Sequence, residues 1–173
     1  MQNFEQRLTG GHPNSLGNTI EVVEEVLAKP SRFDELFNCY FSKDEIVRLR
    51  VSNAMKRITK ANKPLIVPYI DRLINKISKI NQASTQWTLS SLFLMLEKDL
   101  NATQKASAQA IMEHNLATHN DWIVLNTTME TLGKWAKMDE ELKKFILPHL
   151  KRHAKDERNS VNKRANKLLE ALS

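Results

Sequence analysis

His149 and His153 lie one helical turn apart, a spacing that can present two imidazoles to one metal ion. The residues between them are Leu150, Lys151 and Arg152, so no glutamate stands where a metal-bound water would need a base. Two adjacent cations also oppose a divalent ion, and the pair is expected to be ordinary histidines with no metal assigned. Cys39 is the single cysteine, so it has no partner for an internal disulfide. Its neighbours Tyr40 and Phe41 mark it as a small core residue. A nucleophilic thiol would need a histidine and an amide arranged around it, and the sequence shows no such constellation. Glu24-Glu25 and Glu140-Glu141 are adjacent pairs on different helix faces, so neither forms a paired-carboxylate site. There is no glycine-rich phosphate loop, nucleophile elbow or cysteine cluster. These residues assign no catalytic group and no cofactor, and a non-enzymatic protein is expected.

Charge offers a second kind of chemistry. The chain carries a formal charge of +6 over 173 residues. Residues 143–167 hold nine basic side chains against Asp156 and Glu157, so the excess lies near the C-terminal end. Lys151 and Arg152, with Lys155, and Lys163, Arg164 and Lys167 are the candidate phosphate contacts, for nucleic acid, a lipid surface or an acidic protein. The same lysines would equally serve as a solvated polar cap. No aromatic ring is interleaved in 151–173, so base stacking is not expected there.

The elements that position these groups follow from composition and period. Four glycines, five prolines and 6% aromatic residues leave little turn chemistry for a β fold. An all-α protein is expected. In DEIVRLRVSNAMKRI, counting from Arg48, apolar or small residues fall at +3, +6, +7 and +10: Val51, Ala54, Met55 and Ile58. The frame returns from Gln86 (Leu89, Leu92, Phe93, Leu96), from Leu125 (Thr128, Thr131, Leu132, Trp135) and from Asn162 (Ala165, Leu168, Leu169, Leu172). Near-constant spacing predicts an array of about four helical pairs, each too small to bury its stripe alone. The preceding helices start near Ser31, Pro64, Asn101 and Asp139, with Ser31, Asn101 and Asp139 as N-caps. Pro68 and Pro148 fall at matching places and are expected to bend the preceding helices. Asn18–Lys29 reads as an N-terminal capping helix. Residues 1–17 read as a flexible segment and 18–173 as a single domain. The N-terminus lacks the pattern of a secretory signal, and no apolar run is long enough to span a bilayer. A cytoplasmic protein is expected, as one unpaired cysteine suits a reducing compartment.

The stretch Val47-Arg48-x-x-Val51-x-x-Ala54-Met55, led by Asp44, resembles the inner helix of a HEAT repeat. The prolines resemble the one common in that family's outer helix, and Thr131-Leu132-Gly133-Lys134-Trp135 resembles the end of an inner helix. The similarity covers about residues 31–172 and implies an α-α superhelix, or solenoid, without implying an activity. The family's Asp/Arg link between repeats is present only as Asp44 and Arg48; Gln86, Leu125 and Asn162 occupy the later Arg positions. A narrower likeness is to alkylpurine DNA glycosylases built from HEAT-like repeats, which carry a Trp on an inner helix and a catalytic Asp four residues on. Here Trp122 is followed by Asn126, whose amide cannot stabilise a developing cation by charge. That likeness therefore implies DNA binding without base excision.

Arrays of this kind bind partners along their inner helices. Asn53, Arg57, Trp87, Ser91 and Asn126 stand off the core stripe and are the candidate partner-binding residues. Trp87 suits an apolar anchor on a groove floor, or packs against a neighbouring repeat. The expectation is a scaffold for another macromolecule, first a protein. The alternative is a nucleic-acid-binding module using the basic patch. No small-molecule cofactor and no metal are implied.

Overall fold

A computed structural model describes residues 2–173, and it is helical over 80% of its length, with no strand among the described residues. The helices are α1 (Phe4–Leu8), α2 (Thr19–Ala28), α3 (Phe33–Asn38), α4 (Glu45–Ala61) and α5 (Ile70–Asn75), then α6 (Ala83–Met95), α7 (Ala102–Thr118), α8 (Trp122–Trp135), α9 (Glu140–His153) and α10 (Asn159–Leu172). The backbone divides into two compact units, Met1–Thr88 and Leu89–Ser173, where the sequence suggests one domain over 18–173.

In the first unit α4 is the centre. α1, α2 and α3 all pack on it. Its stripe of Val47, Val51, Ala54, Met55 and Ile58 is fully buried, because these positions share one side of a helix with about 3.6 residues per turn. Asp44 caps it, accepting from the Ile46 amide at 2.8 Å. Ala54 has no exposed surface. Ala54→Phe is expected to cost about 1–3 kcal/mol by overpacking, read as a lower urea midpoint; an unchanged midpoint would place Ala54 off the core.

α3 is short and aromatic. Phe37 is fully buried, 4.7 Å ring to ring from Tyr69 and 5.6 Å from Tyr40, with the Arg72 guanidinium 4.6 Å from its ring centre. Arg72 and Tyr69 also bond to Asp34 of α3, at 2.8 and 3.2 Å. Two expectations change here. Ser31 does not cap α3; it lies in a 3₁₀ turn, Pro30–Arg32. Pro68 does not bend a helix either. It sits at the start of a separate 3₁₀ turn, Val67–Tyr69, where its missing N–H costs nothing. Only Pro148 lies inside a helix, α9.

Residues 2–17 are not left outside the fold, as a flexible tail would be. α1 buries Phe4 and Leu8, and Arg7 and Arg32 both pair with Glu25. Behind it, Arg50 of α4 is only 2% exposed and donates to backbone carbonyls alone. Its Nη1 reaches Leu8 O and Gly10 O, each at 2.6 Å, and longer bonds reach His12 O and Ser15 O. Gly17, at φ +50°, leaves the room this requires: a Cβ there would lie 2.8 Å from Arg50 Cζ.

In the second unit α7 packs on α8, α9 on α10, α8 on α10 and α7 on α9. Asn101 and Asp139 cap α7 and α9 as expected, Asn101 through a reciprocal capping box with Gln104. Thr128, Thr131, Leu132 and Trp135 are buried on α8. Thr131 donates to Ser90 O at 2.8 Å, and Thr128 shares a hydrogen bond with Ser90. On α10, Ala165 and Leu172 are buried while Leu168 and Leu169 are half-buried. Leu168 lies on Gly133, which gives it room.

Candidate functional site

In the first unit, the face of α4 opposite its core carries Ile46, Leu49, Asn53, Lys56, Arg57 and Lys60. At its N-terminal end a cavity of 210 Å³ is lined by Pro13, Ile46, Leu49 and Trp87, with Glu45, Gln82 and Ser84 as polar edges. Gln82 fixes that edge. It accepts from Arg48 Nε at 2.7 Å and donates to Glu45 O at 2.9 Å and Ser84 Oγ at 2.8 Å. Arg48 also donates to Ser42 O at 2.6 Å, so its hydrogen bonds join the turn before α4 to Gln82. Trp87 is half-buried, so its ring forms part of the cavity wall. Asn53 accepts from Arg57 Nε at 2.6 Å. Pro13 and the cationic side chains Lys56 and Lys60 were not singled out by the sequence. Lys56 and Lys60 follow from the i, i+4, i+7 rows through Asn53 and Leu49; Pro13 gave no local signal.

The second unit holds Ser91 and Asn126. Ser91 is half-buried. Asn126 donates to Trp122 O at 2.8 Å and to Ser160 Oγ of α10 at 3.3 Å. Trp122 is 49% exposed. Asp121 is occupied as the α8 N-cap, accepting from the Ile123 and Val124 amides at 2.8 and 3.0 Å.

The six candidate phosphate contacts divide. Arg152 donates to Leu116 O and Ala117 O at the end of α7, at 3.0 and 3.3 Å. Arg164 is half-buried, 3.8 Å from Glu130 of α8. Arg152, itself exposed, and Arg164 thus each reach a neighbouring helix, α7 and α8 respectively. Lys151, Lys155, Lys163 and Lys167 are exposed and make no ion pair among the described residues. Arg158 holds Asp156 at 2.7 Å and keeps that carboxyl down at about 2.

His149 and His153 have different surroundings. The His149 ring lies 5.0 Å from Phe145, and His153 is buried with Nε2 3.3 Å from Leu116 O. Burial, with Arg152 nearby, holds both imidazoles below their usual value. Protonation is easier in the unfolded chain, so stability is expected to fall as pH drops below about 6.5. Thermal melts at pH 7.5 and 5.5 would show the loss, and His153→Phe should reduce it; an equal loss in that variant would assign it elsewhere. Cys39 is buried, its thiol 3.4 Å from Glu35 O, and burial pushes it up to about 12.

No group of three or more His, Cys, Asp or Glu side chains with metal-binding geometry occurs among the described residues. No helix among them is long and apolar enough to cross a membrane. Neither a protein-family model nor a curated protein sequence matches the chain.

Proposed function

We propose that the chain is a HEAT-like helical-repeat scaffold, without catalysis of its own, that holds a protein segment on an inner-helix surface. The carrying observation is the apolar cavity of the first unit, walled by Pro13, Ile46, Leu49 and Trp87. Cavities of about 150 Å³ with apolar walls accept a benzene-sized group, so 210 Å³ has room for one large apolar side chain. The repeat reading is supported by hydrogen bonds between residues one repeat apart: Arg48 to Gln82 and Arg72 to Asp34 in one unit, Asn126 to Ser160 and Thr131 to Ser90 in the other. A displayed random-peptide library selected on the protein tests it. Selected peptides should lose about tenfold or more in affinity on Leu49→Glu. Peptides indifferent to Leu49→Glu and Trp87→Ala would remove the cavity from the function.

Exposed Trp122, with exposed Lys151, Lys163 and Lys167 in the same unit, favours nucleic-acid binding as the second reading. Anisotropy of labelled single-stranded and duplex DNA against salt decides it. Phosphate contacts give binding that falls linearly in log–log, with a shallower slope in Lys163→Ala/Lys167→Ala.

A further inference from the structure

The α4 face that forms the cavity continues into a cationic ridge. At about 100° per residue, Ile46, Leu49, Asn53, Lys56, Arg57 and Lys60 share an arc of about 100°. Arg57 and Lys60 are exposed and Lys56 is half-buried. None of the three forms an ion pair among the described residues, although the first unit pairs Arg7, Arg32 and Arg72 with carboxylates. No Asp or Glu occurs in the sequence between Glu45 and Asp71. The favourable end of the helix dipole accounts for a cation at Lys60, in the last turn, but not for Lys56 and Arg57 a turn earlier. Glu45 lies at the cavity end of the same helix, so the face is negative there and positive at the other end.

We propose that this face binds an acidic peptide segment: one large apolar residue in the cavity, and carboxylates on Lys56, Arg57 and Lys60. The proposal rests on the protein-binding reading and names the partner's chemistry. Leu49 and Arg57 are eight residues apart, about 12 Å along the helix axis. An extended chain covers that in about three or four residues. The acidic residues therefore fall about three to five positions from the apolar anchor. Glu45 sets the direction, since it repels carboxylates from the cavity end. Pro13 completes the wall, held there by the bonds from Arg50 to His12 O and Ser15 O on either side of it.

The test uses fluorescein-labelled peptides of the sequence Gly-Ser-Phe-Gly-Ser-Glu-Asp-Glu-Gly-Ser and the full chain. Three control peptides replace Phe by Ala, the acidic triplet by Lys-Arg-Lys, or the triplet by Gln-Asn-Gln. The Phe-acidic peptide should bind, each control should bind about tenfold more weakly or not at all, and added salt should weaken binding. Arg57→Gln/Lys60→Gln, at exposed positions, should cost the acidic peptide about tenfold and leave the Gln-Asn-Gln peptide unchanged. Equal binding of the acidic and amide peptides would overturn the proposal while the cavity reading stands. No binding of the Phe-acidic peptide, with library-selected peptides that lack carboxylates and still depend on Leu49, would do the same. No binding of any peptide, library included, would remove both. Duplex DNA binding that is lost in Arg57→Gln/Lys60→Gln, with no peptide binding, would reassign the ridge to phosphates and overturn the acidic-peptide proposal.

Discussion

Phe37→Ala is expected to cost about 3–5 kcal/mol of the stability of the first unit. The ring has no exposed surface and is enclosed by Phe33, Tyr40 and Tyr69, with a guanidinium over its face. Removing it deletes the buried apolar area, the edge and tilted ring contacts, and the cation–π contact of Arg72 at once. The space left behind cannot close easily. Tyr69 and Arg72 are held by Asp34, and Arg72 also donates to Asn38 at 2.6 Å, so the neighbours are pinned on the rim. For a chain of this length, that loss lowers the melting midpoint by about 10 °C. Phe145→Ala is the matched control: its ring is 39% exposed on α9, and the effect should stay below about 1 kcal/mol. Equal losses in the two variants would mean that the aromatic cluster is not what holds α3 to the Tyr69–Arg72 segment.

Arg50→Met is expected to release residues 8–17 and to lower stability by about 3 kcal/mol. Methionine matches the stem of the side chain and keeps the helix, but it supplies no donor. The carbonyls of Leu8 and Gly10 then lose short charge-assisted bonds. They can recover a partner only by turning to water, which undocks the segment. Amide hydrogen exchange should accelerate over residues 8–17 and change little in α8 and α10. Arg50→Lys keeps the charge but not the fork that reaches several carbonyls, so it should fall between the two. Unchanged exchange in Arg50→Met would show that Phe4 and Leu8 alone dock the segment. Because Pro13 belongs to this segment, the same variant should weaken any ligand of the Leu49–Trp87 cavity.

The parts legible in the sequence were those with a period. The stripe from Arg48, from Gln86 and from Leu125 names residues that are all buried, and two of the expected side-chain caps, Asn101 and Asp139, hold their helices. Helix α1 was not legible, because five residues with apolar positions only at Phe4 and Leu8 show no more than one repeat of the period. Arg50 was also hidden. In the sequence it is one more cation on an amphipathic helix, and its burial depends on a loop whose docking has no local signal. Pro68 misled because a proline inside a helix and one opening a new turn look alike in one dimension. Register marks Trp87 in one dimension, whereas the ridge of Lys56, Arg57 and Lys60 depends on which cations lack carboxylates in space. Arg152 shows the converse, an exposed candidate phosphate contact whose Nη2 is tied to the end of α7.

Cys39 gives the first unit an internal clock. With the thiol at about 12 and its sulfur buried, almost no thiolate is available to a reagent at neutral pH while the unit stays closed. Each reaction with an aromatic disulfide then records one excursion in which the packing around α3 opens. The rate of colour release thus follows the opening equilibrium, without any label added to the protein. The same inertness means that a cysteine introduced on an exposed position, such as Lys163, can carry a dye while the native thiol is left in place.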